Sequence, residues 1–349
     1  MTYLPVDPGF GFMKAIHQHN NQKVKFANII GNYRNDGSLT GNADNLSISV
    51  EGVGAYNFGN TAVLQSSGGG SRSQSNNRIF TPEYLAGMLL AISEGYSKNT
   101  DRIEVDIITG LPGVDYNQYV AKDKAYQTDF KKFITGQYQI ERPGYKQQIT
   151  INSIMCTNQG WGAIYCHLID KSGNWIKPDI EIDTLQIGNV NIGFNTIENG
   201  TVEVQGILNG SLRFVEARGK SKSKASGVHT IIDALIADLY TKFGIVYDTE
   251  KALSILETGK VLIDGELVEY QLPDDIKNGF GKSCLDLASQ VWSDAEIHDL
   301  YRIVLTGGGA NIVQGSFAHI PQLLVSDDPQ WDTVKGYGLL IKAYLKGGK

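Results

Sequence analysis

The stretch "VDPGFGFMK" near the start of the chain brings an aspartate, two glycines and a lysine close together: Asp7, Gly9, Gly11 and Lys14. Glycines let backbone amides approach a ligand with no Cβ in the way, and consecutive amides cradle phosphate oxygens. On that reading the amides of Gly9, Phe10 and Gly11 hold phosphate and Lys14 adds a point charge. Asp7, at the end of the entering strand, would hold a hydrated Mg2+ that bridges phosphates. A Gly-rich hairpin turn with an incidental lysine is the alternative for the same residues. A second cluster, "LTGGGANIV", runs from Leu305 to Val313 between an apolar strand and a helix. Its three glycines, Gly307, Gly308 and Gly309, let backbone pack flat against a purine, while the helix N-terminus faces anions. A third stretch, "TGLPG" (109–113), reads as a strand-end turn with little chemistry of its own.

These turns need elements to hold them, and the chain is long enough to supply two cores. It has 349 residues, 41% hydrophobic and 19% charged, a balance that excludes disorder as the default and suits two domain-sized units. Residues 3–30 read as strands, with Asn20 and Asn21 marking a hairpin. Residues 32–78 are rich in Gly, Ser and Asn, and "SSGGGSRSQSNN" (66–77) reads as a mobile surface loop. Thr81 as N-cap and Pro82 at the first helical position open a helix that runs toward Gly95. "IEVDIITGLPG" is a buried strand, a polar helix spans 115–136, and "QITINSIMCTNQGWGAIYCHL" is a strand, a turn and an apolar helix start.

The second half repeats this grammar. "DIEIDTLQIGNVNIGFNTIENGTVEV" carries two β-type runs around Gly188, with "ENG" as the hairpin turn. Helical spacing follows at 227–243, 248–258 and 274–292, and a last helix spans 333–346. Two α/β halves, each opening with a strand and a glycine turn, point to an internal duplication.

The formal net charge of −6 argues against whole-surface attraction to nucleic acid or anionic lipid. Cys156, Cys166 and Cys284 show no metal spacing and suit reduced, cytosolic thiols. No apolar run reaches the length of a membrane span, and nothing at the N-terminus looks like a leader. His17 and His19 alternate on a strand and read as surface residues. The basic run 213–227 reads as a solvated loop, or as a contact to a neighbouring subunit or a DNA-bound adaptor.

Taken in order, the motifs resemble the actin-like ATPase superfamily, in particular its plasmid-segregation actins of the ParM/StbA type. "DPGFGFMK" is similar to the first phosphate loop, "TGLP" to a strand-end signature, and "LTGGGAN" to the adenosine loop. "DDPQWDTVKGYGLLIKAYL" resembles the C-terminal segment, and "NQGWGAI" the segment that positions the attacking water, which by position is Gln159. The resemblance implies an actin-like (ribonuclease H-like, duplicated) α/β fold with two domains, 1–177 and 178–349, around a nucleotide cleft. The last helix, 333–346, would pack back on the first domain, and 32–78 would form its small subdomain. It further implies a cytoplasmic protein that binds ATP or GTP with Mg2+ and polymerises on itself. The filament would move plasmid DNA through an adaptor, with no direct sequence-specific DNA contact and no membrane. Residues Gly307 to Asn311 would cover the nucleoside. A filament protein with little turnover and a small-molecule kinase of the same superfamily are the alternatives.

One place departs from the family pattern. Counting back from Glu198, Asn199 and Gly200 puts "QIGNVNIG" (186–193) on the second phosphate loop. Gly188 and Asn189 would then bind phosphate, but Gln186 stands where an aspartate normally does. Asp183, three residues upstream, could serve only if the strand register shifted, which would turn it to the opposite face. The expectation is slow hydrolysis, raised by Gln186→Asp.

Overall fold

The computed structural model describes residues 3–33, 45–65, 70–72, 76–120, 124–176, 184–208 and 211–347. They divide into two compact units. One holds the described residues up to 176 together with those from 331 onward; the other holds those from 184 to 330, Ser211 apart.

Each unit is built on five strands in the same order. In the first, hydrogen-bonded neighbours run Gln22–Ala27, Phe12–His17, Tyr3–Pro8, Arg102–Leu111, Tyr145–Asn158. The first three pair antiparallel and the last three parallel. In the second the order is Ser211–Lys224, Ile197–Leu208, Thr184–Ile192, Arg302–Thr306, Leu323–Val325, and the central hairpin again leads into parallel strands. The duplicated α/β fold expected from the sequence is present in both halves. The first sheet continues through Gly136–Arg142 into the short strands Ser47–Val50, Gly54–Phe58, Ile29–Asn32 and Ser71–Arg72.

Tyr3–Pro8 is buried from Leu4 onward, as a central strand under helices must be. Helices Pro82–Glu94 and Asp332–Gly347 both pack against it. The first of these starts where the local signals place it. Thr81 accepts the Tyr84 N–H, Pro82 fills the first position and Gly95 closes the end. Helix Asp332–Gly347 also crosses helix Gln159–Leu168 at glycines, since a Cβ on Gly336 would lie 1.7 Å from the Gly162 carbonyl oxygen. The two helices touch backbone to backbone.

Several local expectations are corrected. The polar helix is two helices, Gly113–Val120 and Lys124–Ile134. Strand Tyr145–Asn158 enters helix Gln159–Leu168 with no turn between them, because Asn158 itself caps the helix by accepting the Gly160 N–H at 3.0 Å. The basic run is the edge strand Ser211–Lys224 rather than a loop. Its Lys220, Lys222 and Lys224 fall at the period-two spacing of a strand. His17 is fully buried beside Ala91, with only His19 exposed. Among the described residues no helix is long and apolar enough to cross a membrane.

The largest correction concerns the second hairpin. "ENG" lies inside strand Ile197–Leu208, with Glu198, Asn199 and Gly200 paired to Asn191, Val190 and Asn189. The chain reverses instead at 193–196, closed by the Gly193 N–H donating to the Thr196 carbonyl at 2.9 Å. Buried Ile192 and Ile197 flank that reversal, and Trp292 donates to Thr201 Oγ1 at 2.7 Å. Hydrophobic register outweighs the local turn preference of Asn-Gly.

Candidate functional site

In the first unit the Gly-rich stretch is the connection of a hairpin whose register sets Asp7 opposite Lys14. The pair is a salt bridge at 2.9 Å, with Asp7 2% exposed. Gln159, at the start of its helix, donates its Nε2 to the other Asp7 oxygen at 3.0 Å. Lys14, from the same stretch, and Gln159, from a separate motif, therefore converge on one carboxylate.

The turn itself is held from behind. Asn28 donates its backbone N–H to the Gly11 carbonyl and its Nδ2 to the Gly9 carbonyl, each at 2.9 Å, and Arg72 also donates to Gly11. Among the described residues the N–H groups of Gly9, Phe10 and Gly11 make no turn hydrogen bond. Carbonyls fixed and amides uncommitted is the arrangement an anion needs. The Arg78 guanidinium lies 3.8 Å from the Phe10 ring centroid, and Lys25 and Arg72 face Phe12. Lys14, Lys25, Arg72 and Arg78 are thus all gathered around this turn.

Gly110 of "TGLP" turns out to be positional. A Cβ there would stand 1.7 Å from the Tyr337 hydroxyl and 2.7 Å from the Gln159 Cα. Its absence lets the start of the Gln159 helix and the closing helix approach the strand. Metal fit can be judged from Asp7 as well. Each of its oxygens already accepts one donor, and among the described residues no three His, Cys, Asp or Glu side chains group as a metal site. A single carboxylate that already accepts on both oxygens would fit a metal only through water, not as a direct ligand set.

In the second unit, strand Arg302–Thr306 ends at Gly307, whose φ is 92°. A Cβ on Gly307 would sit 2.4 Å from the Ile192 carbonyl oxygen and 2.7 Å from Asn191 Oδ1; one on Gly309 would sit 2.4 Å from Ile192 Cγ2. Both glycines are required by packing, and the Gly309 N–H donates to Ile192 at 3.1 Å. Gly308 is different: it is exposed, and its Cβ would have nothing closer than 3.6 Å. Asn311 is exposed in the first turn of helix Ala310–Phe317. The 193–196 turn is seated on helix Val228–Phe243, whose Val228 and His229 N–H groups donate to Gly193 and Phe194 at 3.0 Å.

The other candidates are elsewhere. Gln186 is exposed near the beginning of its strand, with Nε2 at 3.4 Å from Glu203, six residues before Ile192 and so about 20 Å of extended chain from the turn. Gly188 packs under Trp292 and Leu300, and Asn189 is buried in mid-strand. Asp183 lies outside the described residues. Asn191, not Gln186, is the side chain that meets the glycine turn. Gln186→Asp is accordingly expected to leave phosphate release unchanged in a continuous phosphate assay; a rise of tenfold would restore the original alignment. Sequence reasoning passed over Asn28, Arg72, Arg78 and Tyr337. Only an arginine inside a glycine-rich stretch offered a signal.

The family described as the N-terminal domain of actin-like proteins matches residues 5–162. That of the archaeal actin homologue MreB-like, C-terminal, matches 189–319. No curated protein matches the chain. Among solved structures, Ta0583, an archaeal actin homologue, is 17% identical over 99% of this chain and 100% of its own, with a TM-score of 0.75. A 15-stranded ParM filament from Clostridium botulinum is 19% identical over 98% and 99%, at 0.70. A non-polymerisable quadruple mutant of pCBH ParM is 20% identical over 99% of both chains, at 0.67. Ta0583 has also been solved in complex with ADP.

Proposed function

We propose, from the premise that this chain belongs to the actin-like proteins, that it binds a nucleoside triphosphate with Mg2+ and assembles into filaments in response. The observation that carries the reading is the convergence of Asp7, Lys14 and Gln159 beside the uncommitted amides of 9–11. The amides and Lys14 hold phosphate oxygens. Asp7 would hold the metal through water, and Gln159, released from Asp7, hydrogen-bonds the water that attacks. Mg2+ supplies charge neutralisation on the phosphates.

Filament formation is supported by relatives solved as a filament and as a mutant named for losing polymerisation. Transport of plasmid DNA through an adaptor rests on the motif resemblance alone. The edge strand Ser211–Lys224 offers that adaptor, or a second subunit, a basic face through Lys222 and Lys224, both exposed. Assembly with little turnover is a second reading, favoured by the neutral Asn191 where the second turn meets the glycines.

The test is sedimentation and light scattering with ATP, GTP and a non-hydrolysable analogue, with phosphate release followed in parallel. Pelleting that requires one of the triphosphates is expected. Failure with all of them across millimolar nucleotide and ordinary salt contradicts the filament reading, and nucleotide turnover that requires an added sugar or acid points to a kinase.

A further inference from the structure

We propose that Asn28 is a positioning residue of the phosphate site, the group that aims the Phe10 N–H at a phosphate oxygen. The inference rests on the reading of the 9–11 turn as a triphosphate site and adds to it which amide is aimed, and by what. Asn28 stands at the break between strands Gln22–Ala27 and Ile29–Asn32. On one side the Phe12–Ala27 pair is the last rung of the hairpin, and on the other Ile29 pairs with Arg72. Asn28 itself is 6% exposed. Pairing on both flanks fixes where it sits, so its side chain is placed by the sheet and not by the turn it touches.

The Asn28 N–H carries the hairpin pairing one residue past that rung, to the Gly11 carbonyl, and its Nδ2 donates to the Gly9 carbonyl, each at 2.9 Å. A carbonyl oxygen only accepts, so the nitrogen of the Asn28 amide must be the atom that faces Gly9. Arg72 shares the Gly11 carbonyl, whereas among the described residues Asn28 alone donates to that of Gly9. A trans peptide is planar, with the C=O of one residue and the N–H of the next pointing in opposite directions. Holding the Gly9 carbonyl on Asn28 therefore turns the Phe10 N–H the other way, and among the described residues that N–H makes no hydrogen bond.

The side chain of the same residue is held as well, since the Arg78 guanidinium lies 3.8 Å from the Phe10 ring centroid. With ring and peptide plane both fixed, the N–H is a donor aimed before any ligand arrives, which spares the cost of orienting it on binding. Asn28 touches no phosphate in this scheme and acts through Gly9.

Calorimetry with a non-hydrolysable ATP or GTP analogue and Mg2+, alongside urea melts, tests this on Asn28→Leu, on Asn28→Asp and on a semisynthetic chain with an ester in place of the Gly9–Phe10 amide. The ester removes the Phe10 donor and keeps every side chain, and should weaken binding by about tenfold or more. Asn28→Leu is neutral, of similar size and without a donor, and should bind about tenfold more weakly at every pH. Asn28→Asp separates aim from bracing. Ionised, it cannot donate to Gly9; protonated, its O–H can, and burial against a carbonyl raises the pKa at which that happens. Its affinity relative to the parent should therefore rise as pH falls from about 8 to about 5, while Asn28→Leu stays where it was. Bracing alone would lower the urea midpoint and leave the affinity of the folded protein unchanged. Parental affinity in Asn28→Leu or in the ester, or an Asn28→Asp ratio that does not move with pH, overturns the inference and leaves the triphosphate reading standing. If Asn28→Leu does not fold, the ester and the pH ratio decide. A parent that binds neither analogue removes that reading, and this one with it.

Discussion

Lys14→Ala is expected to weaken triphosphate binding by roughly 10- to 150-fold and to destabilise the first unit as well. The affinity loss corresponds to one charge-assisted contact, about 1.5 to 3 kcal/mol. The stability loss has a separate origin. Asp7 is buried, and Lys14 is its salt-bridge partner at 2.9 Å. Removing one member of a buried pair leaves the other charge uncompensated, an effect of about 3 to 5 kcal/mol. The two effects part in the double variant Asp7→Asn/Lys14→Met. Without a buried charge it should recover most of the stability in a urea melt, yet it should still bind triphosphate poorly. A double variant that regains full affinity would mean the pair only braces the hairpin.

Gly110→Ala should be among the most damaging small substitutions in the first unit. Its new Cβ would stand 1.7 Å from the Tyr337 hydroxyl and 2.7 Å from the Gln159 Cα. Tyr337 is fully buried in the closing helix, and one of the two obstacles is backbone, so a side-chain rotation alone does not relieve the overlap. Strand and helices must separate, at a cost of about 3 kcal/mol or more. Because Gln159 moves with its helix, its bond to Asp7 should be lost along with stability. Thermal melting and triphosphate affinity should therefore fall together. A variant that melts like the parent would show that the closing helix packs less tightly than described.

How much was legible in advance can be traced to particular residues. The first hairpin could be read because Asp7, the glycines and Lys14 are neighbours in sequence and the pairing that joins them is local. The Thr81–Pro82 helix start could be read because capping is local too. The second hairpin could not. Strand Thr184–Ile192 is buried at Leu185 and from Ile187 to Val190, so it lacks the alternation that would show where it ends, and Asn-Gly supplied a plausible turn in the wrong place. Its true end is fixed by partners distant in sequence: Gly309 on Ile192, Val228 on Gly193, and Trp292 on Thr201. Arg72 and Arg78 were invisible for the same reason, since what places them is contact with Gly11 and Phe10, some sixty residues earlier. Gln186 was a candidate only through the mistaken turn.

The 9–11 turn, with Asp7, Lys14 and Gln159, is the triphosphate site proposed for this chain. Calorimetric titration of a non-hydrolysable ATP or GTP analogue, with and without Mg2+, tests it most directly. One site per chain is expected, tighter with Mg2+ in the parent, with Lys14→Ala weakened at either Mg2+ level and Asp7→Asn having lost most of the Mg2+ dependence. Identical isotherms for the parent and both variants, or no heat from any nucleotide, would contradict it.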